Sequence, residues 1–440
     1  MVHERFTYHT LDEVRERSKT MKITLPLSDD LSVLGSRFTV GKTVFQNRLA
    51  IQPMEGCDGT SDGRPGELSI RRYHRFARSG AGLIWAEATA VCPEGRANPR
   101  QWMLTDDNLD DYRRLVEDIR RIAQTETGIE PVLVLQLTHS GRYSKPDGIP
   151  APLIARNNPL FETANPIDDD RIVSDEYLSR LPEAFARSAR LADQAGFDGV
   201  DIKACHGYLM NELLAAHTRP GQYGGSFENR TRLFVDCCQA AKSATDAFVT
   251  SRMSIYDGFP LPYGWGADAD GNPDLAEPLE LIRWFHEKSG LSLLDITIGN
   301  PYVNPHVNRP YDNGPYMPPE HPLEGVARMC DCISQVKRQF PSLSVVCSGM
   351  SYLRGFSGNL AAGMIDSGAA DIAGFGRMAF AYPDFARDLL KGSFDPKRSC
   401  IACGKCSEMM RAGSVAGCVI RDKDVYLPLY QGSVKGSAAK

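Results

Sequence analysis

The sequence predicts an α/β chain folded as a TIM (β/α)8 barrel, and three observations carry that expectation. Eight short apolar runs recur along the chain, each is followed by a segment long enough for a helix or a functional loop, and the runs are apolar on both faces. In order they are RLAIQP (Arg48 to Pro53), GLIWAEA (Gly82 to Ala88), VLVLQL (Val132 to Leu137) and GVDIKA (Gly199 to Ala204). FVTSRMS (Phe248 to Ser254), LLDITIG (Leu293 to Gly299), LSVVCSG (Leu343 to Gly349) and ADIAGFG (Ala370 to Gly376) follow. Strands buried on both faces suit a parallel sheet covered by helices, and eight such units close on themselves. The intervening segments read as helices at Leu109 to Ala123, Pro182 to Ala195 and Pro322 to Gln339, with Pro182 and Pro322 standing where a first turn tolerates proline. Chemistry in such a barrel lies on the loops after the strand C-terminal ends, so polar residues there are read for function first.

Length and composition suit one large α/β barrel or two medium domains. The chain has 440 residues, 42% hydrophobic and 24% charged, enough for a sizeable packed core. Its net charge of -5 offers no basic field for nucleic acid or an anionic membrane. No run of eighteen apolar residues occurs, and the first residues lack the apolar stretch of a signal peptide, so a cytoplasmic protein is expected. Residues 1–36 read as a charged arm with one short helix, 37–395 as the barrel, and 396–440 as a cysteine-bearing segment ending in a frayed tail after Tyr430. The long loops Asp257 to Pro278 and Asn300 to Glu320, the second with six prolines, open after the fifth and sixth strands. Such loops serve as lids or dimer contacts.

Three constellations carry chemistry. Cys400, Cys403, Cys406 and Cys418 stand as CxxCxxC followed by eleven residues and a fourth cysteine. That spacing suits an iron–sulfur cluster, which takes three thiolates from one tight loop and a fourth from further along. Zinc is the rival, although its sites usually pair two CxxC knuckles; four unconnected buried thiols are the third reading. The other eight cysteines form no small secreted framework, which fits a reducing compartment.

At the end of the eighth run, GFGRMA matches the dinucleotide fingerprint formally, yet no fresh βαβ unit begins there. The barrel use is a phosphate cradle on the loops after strands seven and eight, formed by Ser348, Gly349, Met350, Gly376 and Arg377; the alternative is glycines that only turn the chain. After the fourth run, KACHGY sets Lys203, His206 and Tyr208 around a strand-end turn, able to grip an oxyanion and supply a proton, or else to be satisfied structural residues. Arg252 lies inside the fifth strand, where a buried guanidinium demands an acceptor, and a barrel-interior salt bridge is its plain alternative.

These residues, with NRLAIQPM, GAGLIWAEATAV, LQLTHSGR, HGYLMNELL, YGGSFENRTR and SGAADIAGFGRMAF, make the chain from about Phe38 to Asp422 resemble the old yellow enzyme family of flavin-dependent oxidoreductases. Within that family it is similar to the iron–sulfur branch that includes 2,4-dienoyl-CoA reductase and trimethylamine dehydrogenase. The resemblance implies FMN on the C-terminal mouth of the barrel. Pro53 and Met54 would then contact the isoalloxazine, with Ala88 close by, Gln136 on its pyrimidine side and Arg252 at the N1 and O2 edge. Gly349, Gly376 and Arg377 would hold the phosphate. Cys400, Cys403, Cys406 and Cys418 would hold a 4Fe-4S cluster near the dimethylbenzene edge, and Tyr208 matches the residue that protonates the α-carbon of an activated alkene.

This chain departs from the family pattern at several positions. Glu55 follows ProMet where relatives have threonine or cysteine, Lys203 replaces the first histidine of a carbonyl-binding pair, and Arg421-Asp422 replace Asn-Pro. A carboxylate at position 55 would disfavour flavin reduction unless protonated or paired. The resemblance implies reduction of an enoate, enone or dienoyl C=C bond: hydride leaves FMN N5 for the β-carbon, Lys203 and His206 polarise the carbonyl, and Tyr208 gives the proton. Oxidation of an amine or alcohol, with electrons leaving through the cluster to an external acceptor, is the alternative. A zinc-bearing structural or redox subunit is the non-enzymatic one. NAD(P)H is one candidate electron donor, and NAD(P)H alone is expected to reduce the FMN slowly, a separate protein or small carrier exchanging the electrons. Cluster-bearing relatives continue into a nucleotide-binding portion, so a separate electron-transfer protein is an expected partner, and homo-oligomers would suit such a barrel.

Overall fold

The structure, a computed structural model, describes residues 5–162, 167–312 and 314–435. The remainder of the expected arm (1–4), of the frayed tail (436–440) and position 313 of the six-proline loop lie outside the described residues. Eight parallel strands among them close into a barrel: β1 (Leu49–Ile51), β2 (Leu83–Ala90), β3 (Val132–Thr138), β4 (Gly199–Ile202), β5 (Phe248–Ser254), β6 (Leu293–Thr297), β7 (Ser344–Cys347) and β8 (Ile372–Phe375). The strands run in chain order and β8 pairs with β1.

Side chains alternate along each strand, and the alternation divides the core in two. One set, including Leu133, Leu135 and Leu137 of β3, packs outward against the helices in the main core. The other points inward. Ala50, Leu83, Trp85, Val132, Val134, Leu293, Val346 and Ile372 fill the lower barrel with Phe45, and Phe38 and Val40 of the antiparallel hairpin Phe38–Val40/Thr43–Phe45 pack against them. The same inward columns continue upward into polar residues, which form the floor of the site.

The helices follow the strands as the periodicity requires. Leu109–Thr127 runs one turn past its expected end to Gly128, whose φ of +69° gives the left-handed cap. Pro322–Gln339 has the expected bounds: Pro322 opens it and His321 and Glu324 form a reciprocal capping box. The helix after β3 corrects the reading of Pro182. It spans Asp175–Gln194 with Pro182 in its interior, because Ser174 caps it by accepting from the Tyr177 N–H. One i→i−4 hydrogen bond is lost at Pro182, which seven upstream helical residues and the buried faces of Leu178, Leu181 and Phe185 offset. Among the described residues the arm carries the α-helix Leu11–Thr20 and a short 3-10 turn, Ser32–Gly35. Gln431–Lys435 continue the last helix, Lys423–Tyr430, so order persists past Tyr430 within the described residues. No helix among the described residues is long and apolar enough to cross a membrane.

Candidate active site

The top of the inward columns is a ring of polar side chains set by strand register. Gln136 on β3 is level with Asp201 on β4, and Arg252 on β5 is level with Asp295 on β6. Asp201 accepts from Gln136 Nε2 at 2.6 Å, Trp85 Nε1 at 2.9 Å and the Arg252 backbone N–H at 2.7 Å. Asp295 accepts from Gln52 Nε2 at 3.1 Å, and its second oxygen faces Arg252 Nε at 3.1 Å. Arg252 makes the interior ion pair that the sequence offered as its plain alternative, and it also lines the cavity above. Burial pushes Asp201 up to about 6 and Asp295 up to about 7, the latter against the pull of Arg252.

Above this ring an open cavity is set into the mouth of the barrel. Pro53, Met54, Glu55, Ala88, Gln136, Lys203, His206, Tyr208, Arg252, Ser348, Gly349, Gly376 and Arg377 all line it. A register shift in β2 between Ala86 and Thr89 brings Ala88 to the wall. Met350 departs from the expectation. Its side chain is buried in the main core, since the residue follows the left-handed Gly349 and turns its side chain under the loop.

The KACHGY turn is built by two residues of positive φ, His206 at +69° and Gly207 at +70°, and a Cβ on Gly207 would collide with Asn300 Nδ2. Gly207 N–H donates to Asn211 Oδ1 at 2.7 Å, tying the turn to the short helix Leu209–Leu214. The turn delivers Lys203, His206 and Tyr208 to one wall. Lys203 Nζ is 3.8 Å from the centre of the Tyr208 ring. The Tyr208 hydroxyl is 2.9 Å from that of Tyr302, which stacks on Tyr143 at 3.8 Å.

Electrostatics fix the protonation states. Burial, then the neighbouring Tyr302 and Glu55, push the Tyr208 phenol well above its usual range, so it keeps its proton at pH 7. Burial, with Arg252 and Lys203 nearby, holds His206 well below the usual range, so it is a neutral imidazole. Glu55, which accepts from Asn98 Nδ2 at 2.7 Å, is raised by burial against the pull of Lys203. Lys203 is lowered by burial. The carboxyl that the sequence made problematic is therefore hydrogen-bonded to Asn98 and has a raised proton affinity.

The opposite wall is glycine-rich for steric reasons. A Cβ on Gly376 would sit 2.7 Å from Met54 Sδ, and one on Gly374 would collide with Gln52 Nε2. Gly374→Ala is expected to break the Gln52–Asp295 hydrogen bond and tilt Gln52 into the cavity. Stability should fall by about 1–3 kcal/mol and flavin affinity by about tenfold, checked by denaturant unfolding and flavin titration.

Cys400, Cys403, Cys406 and Cys418 line one small neighbouring pocket, and Arg377, Phe380 and Cys406 are shared with the larger cavity. Ala402 N–H donates to Cys400 Sγ and Arg421 N–H to Cys418 Sγ, both at 3.4 Å. Ala402 (φ +53°) and Gly404 (φ +74°) turn the loop. No group of three or more such side chains among the described residues is close enough to hold a metal ion. Burial pushes Cys400 up to about 12, so a cationic centre is needed to hold it as thiolate. All four thiols are free and line one pocket, so the donor type suits a soft metal, while their spacing in this structure is wider than a bound centre requires.

Gln52, Tyr302, Arg309 and Gly374 also line the cavity and were not singled out from the sequence. Gln52 and Gly374 carried a signal, since both lie in inward columns at strand ends. Gln52 Oε1 and His206 Nε2 are buried without a hydrogen-bond partner among the described residues. Orphaned polar atoms of that kind fit a ligand rich in ring nitrogens and carbonyls, as a flavin is.

A model of the NADH:flavin oxidoreductase / NADH oxidase family matches residues 36–265. An NADPH dehydrogenase of Halalkalibacterium halodurans is 32% identical over 271 residues, 60% of this chain and 73% of that protein. An NADPH dehydrogenase of Bacillus velezensis is 30% identical over 273 residues, 60% of this chain and 72% of that protein. Among solved structures, 2-naphthoyl-CoA reductase in complex with 2-naphthoyl-CoA superposes with a TM-score of 0.73 at 18% identity, over 89% of this chain and 57% of that one. Histamine dehydrogenase from Rhizobium sp. 4-9 gives 0.68 at 20%, over 88% and 52%. The old yellow enzyme homologue from Zymomonas mobilis gives 0.62 at 21%, over 83% and 98%. The chain spans just over half the length of the first two solved proteins, and these structural likenesses concern the fold.

Proposed function

Because this chain belongs to the NADH:flavin oxidoreductase / NADH oxidase family and is a flavin-dependent oxidoreductase of the old yellow enzyme type, we propose that it reduces a C=C bond conjugated to a carbonyl. The observation that carries this reading is the charge of the cavity wall. Lys203 and Arg309 are the cations of that wall not committed elsewhere, since Arg252 faces Asp295 and, with Arg377, is assigned to FMN; Glu55 is the carboxyl among the lining residues, and its proton affinity is raised. A protonated amine entering such a site is repelled, whereas a carbonyl gaining negative charge is stabilised.

FMN, held by Pro53, Met54, Gln136, Arg252, Ser348, Gly349, Gly376 and Arg377, supplies hydride chemistry when bound. Gln136 commits its amide nitrogen to Asp201, so the cavity receives its oxygen, an acceptor for a ring N–H. Lys203 and neutral His206 donate to the substrate carbonyl. Tyr208 donates its proton to the α-carbon, and Tyr302, at hydrogen-bond distance and part-exposed, relays a replacement proton from solvent. The four cysteines are proposed to hold a 4Fe-4S cluster serving one-electron exchange with a separate protein, the 396–440 segment acting as its own module beside the 37–395 barrel.

A steady-state trial under argon with NADPH or NADH and a cyclic enone tests the reading. Turnover with enones but with no amine supports it. Amine-dependent dye reduction without enone turnover favours the dehydrogenase alternative.

A further inference from the structure

Lys203 is the one lysine buried among the described residues, at 5% exposed. It directly follows β4, and the backbone there is fixed on both sides: its N–H donates to the Leu137 carbonyl at 3.1 Å and that of Ala204 to the Arg252 carbonyl at 2.9 Å. The side chain lines the cavity, with Nζ 3.8 Å from the centre of the Tyr208 ring. No carboxylate stands within ion-pair distance of that nitrogen among the described residues, and no hydrogen bond occupies it. Lys337, by contrast, spends its Nζ on Asp371 and on the Leu343 carbonyl, both at 2.7 Å. Burial lowers the proton affinity of Lys203, against the pull of Cys205 and Glu55. An unpaired lysine fixed in a partly dehydrated cavity has the chemistry of a nucleophile for a carbonyl carbon.

We propose that Lys203 condenses with the carbonyl carbon of the substrate to form an iminium, which confines the reaction to unsaturated ketones and aldehydes. The inference rests on the alkene-reduction reading above and names its substrate class. A bond forms between Nζ and the carbonyl carbon while the carbonyl oxygen leaves as water; ammonium and carbonyl become protonated iminium and water, with no net proton gained or lost. The positive charge is thereby moved from the lysine into conjugation with the C=C bond. The β-carbon then accepts the flavin hydride, the C=C bond being reduced and the flavin oxidised. The neutral enamine that results, in place of an enolate, takes the proton of Tyr208 at its α-carbon. Water hydrolyses the restored iminium and frees the saturated ketone and the ammonium. Unsaturated acids, esters and thioesters cannot follow this route, because condensation with an amine turns their carbonyl into an amide.

The test uses the full chain purified under argon with its cofactors. Oxidised enzyme is mixed with cyclohexenone and sodium cyanoborohydride, which reduces an iminium to a stable amine, and the peptides are weighed. One adduct that depends on the borohydride is expected on the peptide carrying Lys203, and it should be lost in Lys203→Arg, which keeps the charge and cannot condense. Photoreduced enzyme given one turnover in heavy-oxygen water should release saturated ketone carrying solvent oxygen well above the exchange seen without enzyme, a readout that stands even if Lys203→Arg does not fold. Turnover of the enone with neither adduct nor solvent oxygen in the product would overturn the covalent step and leave the alkene-reduction reading standing. Reduction of an unsaturated acid or thioester as fast as the enone would also overturn it. An adduct on Lys203 without reduction of any enone would support the iminium and refute the reduction reading.

Discussion

Tyr208→Phe should slow alkene-driven reoxidation of the reduced enzyme by about 10²-fold or more, the scale of a general acid, while sparing reduction by nicotinamide. The phenol is buried, keeps its proton at pH 7, and has one hydroxyl partner, Tyr302, at 2.9 Å. Hydride arrival at the β-carbon leaves an enolate that needs a proton at the α-carbon. Removing the hydroxyl removes the acid while the ring still packs beneath Lys203. Tyr302→Phe should cost several-fold, since it removes the resupply of the proton and leaves the donor. His206→Ala should instead weaken substrate binding and slow hydride arrival, because a neutral imidazole acts on the carbonyl. Separate single-turnover measurements of the two half-reactions distinguish these outcomes. An unchanged reoxidation rate in Tyr208→Phe would contradict its assignment.

Cys403→Ala should reduce the iron content from roughly four per chain to near zero while most of the FMN remains. Cys403 is the suitable position because it lines the cysteine pocket alone, whereas Cys406 lines the flavin cavity as well. Ser407, Met410 and Ala416 of the same segment also reach the cavity wall, so a moderate loss of flavin is expected from loosening. Iron and flavin analysis of protein purified under argon measures both. Equal loss of both groups would make the segment part of the flavin site, and stoichiometric zinc in the parent would end the cluster assignment.

The barrel was legible because each strand is apolar on both faces and each connection has room for a helix. Lys203, His206 and Tyr208 were legible because a strand-end turn keeps neighbours in sequence together in space. Pro182 misled because proline opens helices more often than it interrupts them, although Ser174 followed by Asp175 and Glu176 carried the true start. Asp201 and Asp295, carboxyls inside apolar strands, signalled the polar ring, but their partners depend on barrel register. Tyr302 and Arg309 were hidden for a different reason. Both come from a proline-rich loop without periodicity, whose path is set by the tertiary bonds of Asn300 and Asn304.

The measurement that bears most directly on the central claim is a single turnover of photoreduced, iron-replete enzyme mixed under argon with a simple cyclic enone, followed by flavin absorbance and product analysis. The account predicts rapid, saturable return of oxidised flavin with one saturated ketone formed per flavin, together with slow return in Tyr208→Phe. Persistence of the reduced flavin with every enone and dienone tried, while an amine or alcohol reduces the oxidised enzyme, would contradict it.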